Sequence, residues 1–254
     1  MKMALSSAYI LLNRGGKFPL VLTCEHASCL VPAEYQNLGV REEELRRHIG
    51  WDIGAWEVVR VLTQELDTSA VCAGYSRLLI DCNRDLKDHD LIVAESDGVG
   101  IPANRSLSPE ERERRIQNFY RPYHEAIDRL LAEKGCSLLL SVHSFTPVLR
   151  GQERRFDVGI LFDRYDTLAW ELGRRIEKTG LDVRYNEPYS GHDGLIFSAR
   201  SHGERHGMLY MELEINQGLI AEEEGAAGVG KKAAWALRDL FVSGLPSISI
   251  EIIS

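Results

Sequence analysis

Leu138-Leu139-Leu140-Ser141-Val142-His143-Ser144 is an apolar run that ends in a histidine. So long an apolar stretch reads as a strand buried on both faces, the kind found in a parallel sheet covered by helices. Leu22-Thr23-Cys24-Glu25-His26-Ala27-Ser28 has the same form, with His26 at the corresponding place. Each imidazole is therefore expected where a strand gives way to a loop, which is where open α/β sheets hold their ligands. One such histidine often only bonds a loop carbonyl. Two of them, accompanied by acidic residues, point to a hydrolytic metal site.

Outward from these runs, short apolar stretches alternate with longer amphipathic ones. Phe18 to Thr23, Ser69 to Ala73, Leu78 to Ile80, Ser137 to Val142, Val158 to Phe162 and Met208 to Ile215 have strand length and composition. Leu45, Ile49, Ile53, Trp56, Val59, Leu62 and Leu66 recur at helical steps and predict one buried face. Ser108-Pro109-Glu110-Glu111 is a helix start, with Ser as N-cap, Pro at the first helical position and Glu three residues after the cap. That helix turns Ile116, Phe119, Tyr123, Ile127 and Leu130 inward, and Pro122 is expected to kink it. Further helices are expected over Thr167 to Lys178 and Gly230 to Val242. The fold class is α/β, a mostly parallel central sheet flanked by helices, in a single domain over residues 1–254.

The chain has 254 residues, 44% of them hydrophobic, and a formal net charge of −8. That charge argues against a nucleic-acid or anionic-membrane surface, either of which needs a basic field. The five cysteines are odd in number, have no CxxC spacing and sit mostly in apolar contexts, as expected of reduced core residues in a cytoplasmic protein. Ala4 to Leu12 is apolar but interrupted by Ser6 and Ser7, so no signal peptide is expected there. No run of 18 apolar residues predicts a membrane span.

Polar residues gather at the predicted strand ends. In Tyr75-Ser76-Arg77-Leu78-Leu79-Ile80-Asp81-Cys82-Asn83-Arg84-Asp85, strand alternation sets Arg77, Leu79 and Asp81 on one side, with Asn83 and Arg84 in the following loop. Arginine forks and an amide suit a substrate carboxylate; ordinary pairing of Arg77 or Arg84 with Asp81 or Asp85 is the alternative. Along Met208-Leu209-Tyr210-Met211-Glu212-Leu213-Glu214-Ile215-Asn216, Tyr210, Glu212, Glu214 and Asn216 share one face. Two close carboxylates repel unless one is protonated or pairs with a cation, whereas a solvated strand face needs neither. Asp52, in Gly50-Trp51-Asp52-Ile53-Gly54, is either a further oxygen donor or a carboxylate favoured by a helix N-terminus. Asn186 to Gly194 reads as an ordered loop, either a substrate wall or plain surface. His202 and His206, four apart, could share a helix face and bind metal, but Gly203 weakens a helix and a solvated turn is the favoured reading; Tyr120, Tyr123 and His124 read as core.

Together, Cys24-Glu25-His26-Ala27-Ser28, Gly50-Trp51-Asp52-Ile53-Gly54-Ala55-Trp56, Tyr75 to Arg84, Ser141-Val142-His143-Ser144-Phe145-Thr146-Pro147, Asn186-Glu187-Pro188-Tyr189-Ser190-Gly191 and Glu212-Leu213-Glu214-Ile215 resemble the N-formylglutamate amidohydrolase family. The resemblance implies a phosphorylase/hydrolase-like α/β fold related to zinc exopeptidases and hydrolysis of an N-acyl amino acid amide. It is nearest to a branch of predicted enzymes not assumed to act on N-formylglutamate. Two positions depart from the family pattern, with Asn216 and Gly218 where Arg and Asp are expected.

Combined, these readings give a zinc ion held by His26, His143 and one carboxylate, Asp52 ahead of Glu25, with a position open for water. In the related zinc carboxypeptidases the acidic ligand lies three residues after the first histidine, a position that is Cys29 in this chain. Glu214, with Glu212 beside it, is the expected general base, and Arg77, Asn83 and Arg84 the clamp for the carboxylate of a small-molecule substrate. Two alternatives stay open. One is a nucleophile amidase using Cys24 or Ser144 with His26 or His143, although no glycine-framed nucleophile elbow is present. The other is a small-molecule-binding or protein-interaction module without turnover.

Overall fold

The computed structural model describes residues 8–245. Strands β1 (Tyr9–Leu12), β2 (Leu20–Cys24), β3 (Ser69–Ala73), β4 (Leu138–Phe145), β5 (Val158–Leu161), β6 (Val183–Tyr185) and β7 (Leu209–Asn216) form one sheet. Its order is β1-β3-β2-β4-β7-β5-β6. β3, β2, β4 and β7 run parallel to one another, β1 is antiparallel to β3, and β5 with β6 runs antiparallel to β7. The chain leaves β2 toward β3 on one side and returns to β4 on the other. The gap between the ends of β2 and β4 is thus a topological switch point, and His26 and His143 stand on its two sides.

Strand alternation divides the apolar side chains between two layers. Leu20, Leu22, Leu138, Leu140, Met211, Leu213 and Ile215 pack beneath α1 (Ala55–Leu66), α4 (Asp166–Glu177) and α6 (Glu223–Val242). Val21, Val71, Leu139 and Tyr210 face the opposite layer, with α3 (Arg121–Glu133) and α5 (Phe197–His206). The predicted helix start holds, for Ser108 caps α2 (Pro109–Arg115) by accepting from the Glu111 N–H. α2 joins α3 through a π-helical stretch, Ile116–Tyr120. This places Pro122, which has no N–H to give, in the first turn of α3.

Several expectations need correction. Leu78 to Ile80 is a turn, because its carbonyls are held by side chains and not by a neighbouring strand. Arg115 donates to Leu79 O and Asn104 to Leu78 O, while Leu78 and Leu79 bury with Leu38, Leu45, Ile49 and Ile101. The helical pattern from Leu45 to Leu66 is broken between Leu45, which ends a short helix, and Ala55, which begins α1. Gly54 has φ +82° and lies so close to Ile220 O that no side chain fits. The break lets the Asp52 N–H bond the carbonyl of His26 at 2.9 Å. α6 begins seven residues before the expected Gly230, because Ala226 and Val229 bury against the core and override the weak helix preference of Gly225 and Gly228.

His202 and His206 lie on α5 and not in a solvated turn. His202 is buried, its Nδ1 2.7 Å from Asp128 Oδ1 and its Nε2 2.8 Å from His124 Nδ1. His206 Nε2 meets the same Asp128 oxygen at 2.9 Å. Gly203 is present because α5 presses there on the ring of Tyr210. Of the expectation about Ala4 to Leu12, residues 4–7 lie outside the described residues, and Tyr9–Leu12 is β1. No described helix is long and apolar enough to cross a membrane.

Gly203→Ala separates propensity from packing. Propensity alone predicts a gain of about 1 kcal/mol, whereas a methyl group forced against Tyr210 costs about 1–3 kcal/mol. A lower urea midpoint for the variant is expected; a higher one means α5 does not bear on Tyr210.

Candidate active site

Three ligand-type atoms converge where the switch point opens. His143 Nδ1 lies 2.8 Å from Asp52 Oδ2 and 3.1 Å from His26 Nδ1, and His26 Nδ1 lies 3.3 Å from the same Asp52 oxygen. All three residues are buried. The far nitrogen of each ring is held by a carboxylate: His26 Nε2 by Asp81 Oδ1 at 2.7 Å, and His143 Nε2 by Glu25 Oε2 at 3.0 Å. Glu25 also accepts from Ser141 and, at 2.8 Å, from Tyr123 of α3. Carboxylates on the far nitrogens orient imidazoles for metal binding and raise their basicity.

Strand register supplies the remaining acids. β4 and β7 pair so that Glu214 stands beside His143 and Glu212 beside Ser141. Both glutamates are buried, which excludes the solvated strand face. Glu212 Oε2 lies 3.5 Å from His143 Nε2 and 3.3 Å from Asn83 Nδ2, whereas Glu214 Oε2 is buried without a hydrogen-bond partner among the described residues.

Charge is therefore crowded here. Burial and the neighbouring carboxylates push Glu212 and Glu214 above the usual carboxylate range. Burial also pushes Glu25 and Asp52 up, but the histidines outweigh it and hold both well below that range. Burial disfavours imidazolium at His143, yet the charge of Glu212 and the bonds to Asp52 and Glu25 raise it well above the ordinary value. Five buried carboxylates, Glu25, Asp52, Asp81, Glu212 and Glu214, surround two histidines. Such a set, with two nitrogens and an oxygen converging and one carboxylate oxygen orphaned, fits a divalent cation of the zinc type. His143, Glu212 and Glu214 form a second convergent group that shares His143.

The basic residues divide. Arg77 donates to Asp81 Oδ2 at 2.8 Å and lies 3.6 Å from Asp52 Oδ1. Asn83 donates to Leu195 O and Glu212 and accepts from the Ser198 N–H. Arg84 donates to Asn83 O, and Asp88 is 3.9 Å away, beyond hydrogen-bond length. All three line a cavity of about 260 Å³ together with His26, Asp52 and His143. The lining also includes Phe145, Leu149, Leu161, Tyr189 and Leu195. The loop from Asn186 thus contributes a wall residue, Tyr189. Asn186 Oδ1 orders this loop by accepting from the Phe162 and Gly191 N–H groups.

The nucleophile candidates lie differently. Cys24 belongs to the apolar layer with α1, and burial pushes its thiol well up. Ser144 Oγ donates to Ile53 O and accepts from Gln217. Asn216 caps the turn Gln217–Ile220 and donates to Phe156 O and Arg154 O. Sequence reasoning missed Asp81 as the partner of His26, Glu25 as that of His143, and the part of Tyr123. Their partners are 55 to 118 residues away, so no local spacing marks them.

The chain matches the N-formylglutamate amidohydrolase family over residues 18–221. It belongs to that family. N-formylglutamate deformylases of Pseudomonas putida and Pseudomonas aeruginosa are 30% and 32% identical over 143 and 152 residues. These matches cover 51% and 53% of this chain and 52% and 55% of the relatives, so the chain spans about half the length of the curated relatives it matches. The crystal structure of gene product Atu2144 from Agrobacterium tumefaciens is 32% identical with a TM-score of 0.90, covering 96% of this chain and 98% of that one. N-formylglutamate amidohydrolase from Ralstonia eutropha JMP134 shares the fold at 22% identity and a TM-score of 0.71, over 92% and 97% of the two chains.

If the far-nitrogen carboxylates orient the imidazoles, Asp81→Asn will weaken zinc binding about 10–100-fold, whereas His26→Ala will abolish stoichiometric binding. Competition with a chromophoric chelator measures both. Undiminished affinity in Asp81→Asn removes Asp81 from the metal-supporting set.

Proposed function

We propose that this protein hydrolyses the amide bond of an N-acyl amino acid, such as an N-formyl derivative, with zinc as its metal. The observation that carries the reading is the convergence of His26 Nδ1, His143 Nδ1 and Asp52 Oδ2 within 3.3 Å of one another on the cavity floor. His26, Asp52 and His143 would hold the ion; Glu25 is the weaker third ligand, because its Oε2 already accepts from His143 and Ser141. When bound, zinc supplies a lowered pKa for water and polarisation of the scissile carbonyl.

The chain's own groups account for the rest. Glu214, beside His143 in the strand register and with a free oxygen, accepts a proton from the attacking water and returns it to the leaving amine. Glu212, tied to Asn83, adds negative charge beside His143. Arg84 binds the substrate carboxylate, and Arg77 and Asn83 brace the edge of the clamp through Asp81 and Glu212. A carboxylate fixed at Arg84 sets the acyl group over the floor and reduces the orientational freedom the reaction must lose. Phe145, Leu161 and Tyr189 add apolar surface that limits water in the cavity. The family match over residues 18–221 supports the amide-hydrolase reading, and the apolar packing of Cys24 disfavours a thiol nucleophile.

A chelator should remove activity toward N-formyl amino acids, and zinc should restore it. Glu214→Gln keeps the shape of the site but not the base, so kcat is expected to fall on the order of 10²-fold or more while zinc content is unchanged. Activity that persists without metal overturns the zinc reading; an unchanged kcat in the variant moves the base elsewhere.

A further inference from the structure

The cavity is unevenly furnished for charge. Its lining contains two guanidinium groups, Arg77 and Arg84. Arg77 is already committed to Asp81 and Asp52. Among the described residues Arg84 has no carboxylate at hydrogen-bond distance, only Asp88 at 3.9 Å, so it is the one loosely paired fork in the lining. His48 also lines the cavity, but burial lowers its affinity for a proton more than Asp97, 3.5 Å away, raises it. It is therefore a poor counter-ion for a second carboxylate.

The rest of the lining is largely apolar and aromatic, with Ser144, Thr146, Gln217 and the Tyr189 hydroxyl as its neutral polar groups. A carboxylate placed against the apolar side chains would be desolvated without a cationic partner, and one turned toward Glu212 and Glu214 would meet like charge. The adjoining chamber, of about 350 Å³ and sharing His48, Arg77, Arg84 and Leu149 with the cavity, presents Asp90, Glu95 and Asp97 against Arg150. It gives a second carboxylate no net attraction. Arg154 donates to the Tyr189 hydroxyl at 3.2 Å, stands 5.0 Å from the ring centre of Tyr189 and 5.8 Å from that of Phe145, and does not line the cavity.

We propose that the substrate carries a single carboxylate, held by Arg84, and an apolar side chain seated against Phe145, Leu149, Leu161, Tyr189 and Leu195. It is thus an N-acyl apolar amino acid and not an N-acyl dicarboxylic one. This rests on the amide-hydrolase reading above and narrows it. Leu149 and Leu195 are half-buried on the rim, so they are the wall residues a substrate side chain reaches first.

The zinc-loaded protein is assayed with N-formyl-L-leucine, N-formyl-L-phenylalanine and N-formyl-L-glutamate. The apolar substrates are expected to have kcat/KM at least about tenfold higher. Leu149→Arg puts a second fork on the wall and should shift that ratio toward glutamate by roughly tenfold. Equal or better hydrolysis of N-formyl-L-glutamate by the unaltered protein overturns the proposal and assigns Arg154 as a second clamp, while the amide-hydrolase reading stands. If none of the three is hydrolysed, that reading fails for N-formyl amino acids, and calorimetry with the same compounds decides the narrower point. Tighter binding of the leucine compound supports a one-carboxylate site; tighter binding of the glutamate compound, or of neither, overturns it.

Discussion

Five carboxylates held out of water around two imidazoles are the constraint to which the rest of this site answers. Each buried ion costs several kcal/mol in lost hydration, and neighbouring like charges add to that cost. The fold offsets part of it with Arg77 between Asp81 and Asp52, with donors from Ser141, Tyr123 and Asn83, and with the two histidines. Glu212 and Glu214 remain undercompensated, and this is why burial raises their proton affinity. A divalent cation at the convergent atoms would supply the missing positive charge. The same crowding that destabilises the metal-free fold thus becomes affinity for the proposed ion.

Rigid elements hold this arrangement. His143, Glu212 and Glu214 lie on central parallel strands, where neighbours on both sides fix the backbone and the register sets His143 against Glu214. The outer helices act on the site through single hydrogen bonds. α3 sends Tyr123 to Glu25, and the N-terminal turn of α5 gives the Ser198 N–H to Asn83, which in turn holds Glu212. Asp128, shared by His202 and His206, ties these two helices together. The contacts that orient the imidazoles and acids are therefore coupled to the packing of one helical layer.

The loops, braced from α2 and the stretch that leads into α3, determine what can enter. Arg115 is buried and holds Leu79 O and Asn104, while Asn104 holds Leu78 O and Val93 O, so the segment carrying Arg77, Asp81, Asn83 and Arg84 is a braced loop. Tyr120 adds a bond to Arg84 O. The loop ordered by Asn186 adds Tyr189 to the same cavity. The lining thus combines preorganised polar groups with apolar side chains, and it selects substrates by what they leave unpaired.

Residue order alone determined the layers. The apolar runs at Leu22 and Leu138 and the alternation along Met208 to Asn216 announced a buried sheet with His26, His143 and the glutamates at strand ends, because period-two patterning and strand burial are local properties. The capping residues before α2 were legible for the same reason. Which nitrogen faces which carboxylate was not. Asp81 is 55 residues from His26 and Glu25 is 118 from His143, and these pairs exist only once β2, β3 and β4 lie side by side. Gly203 reads as a weak helix position and Gly54 lies inside a continuous helical pattern, yet they mark close approaches to Tyr210 and Ile220. Arg77 and Arg84 are alike in sequence; tertiary structure alone gave Arg77 two carboxylates and left Arg84 with only Asp88, 3.9 Å away, since charge pairing depends on distances that only the folded chain defines.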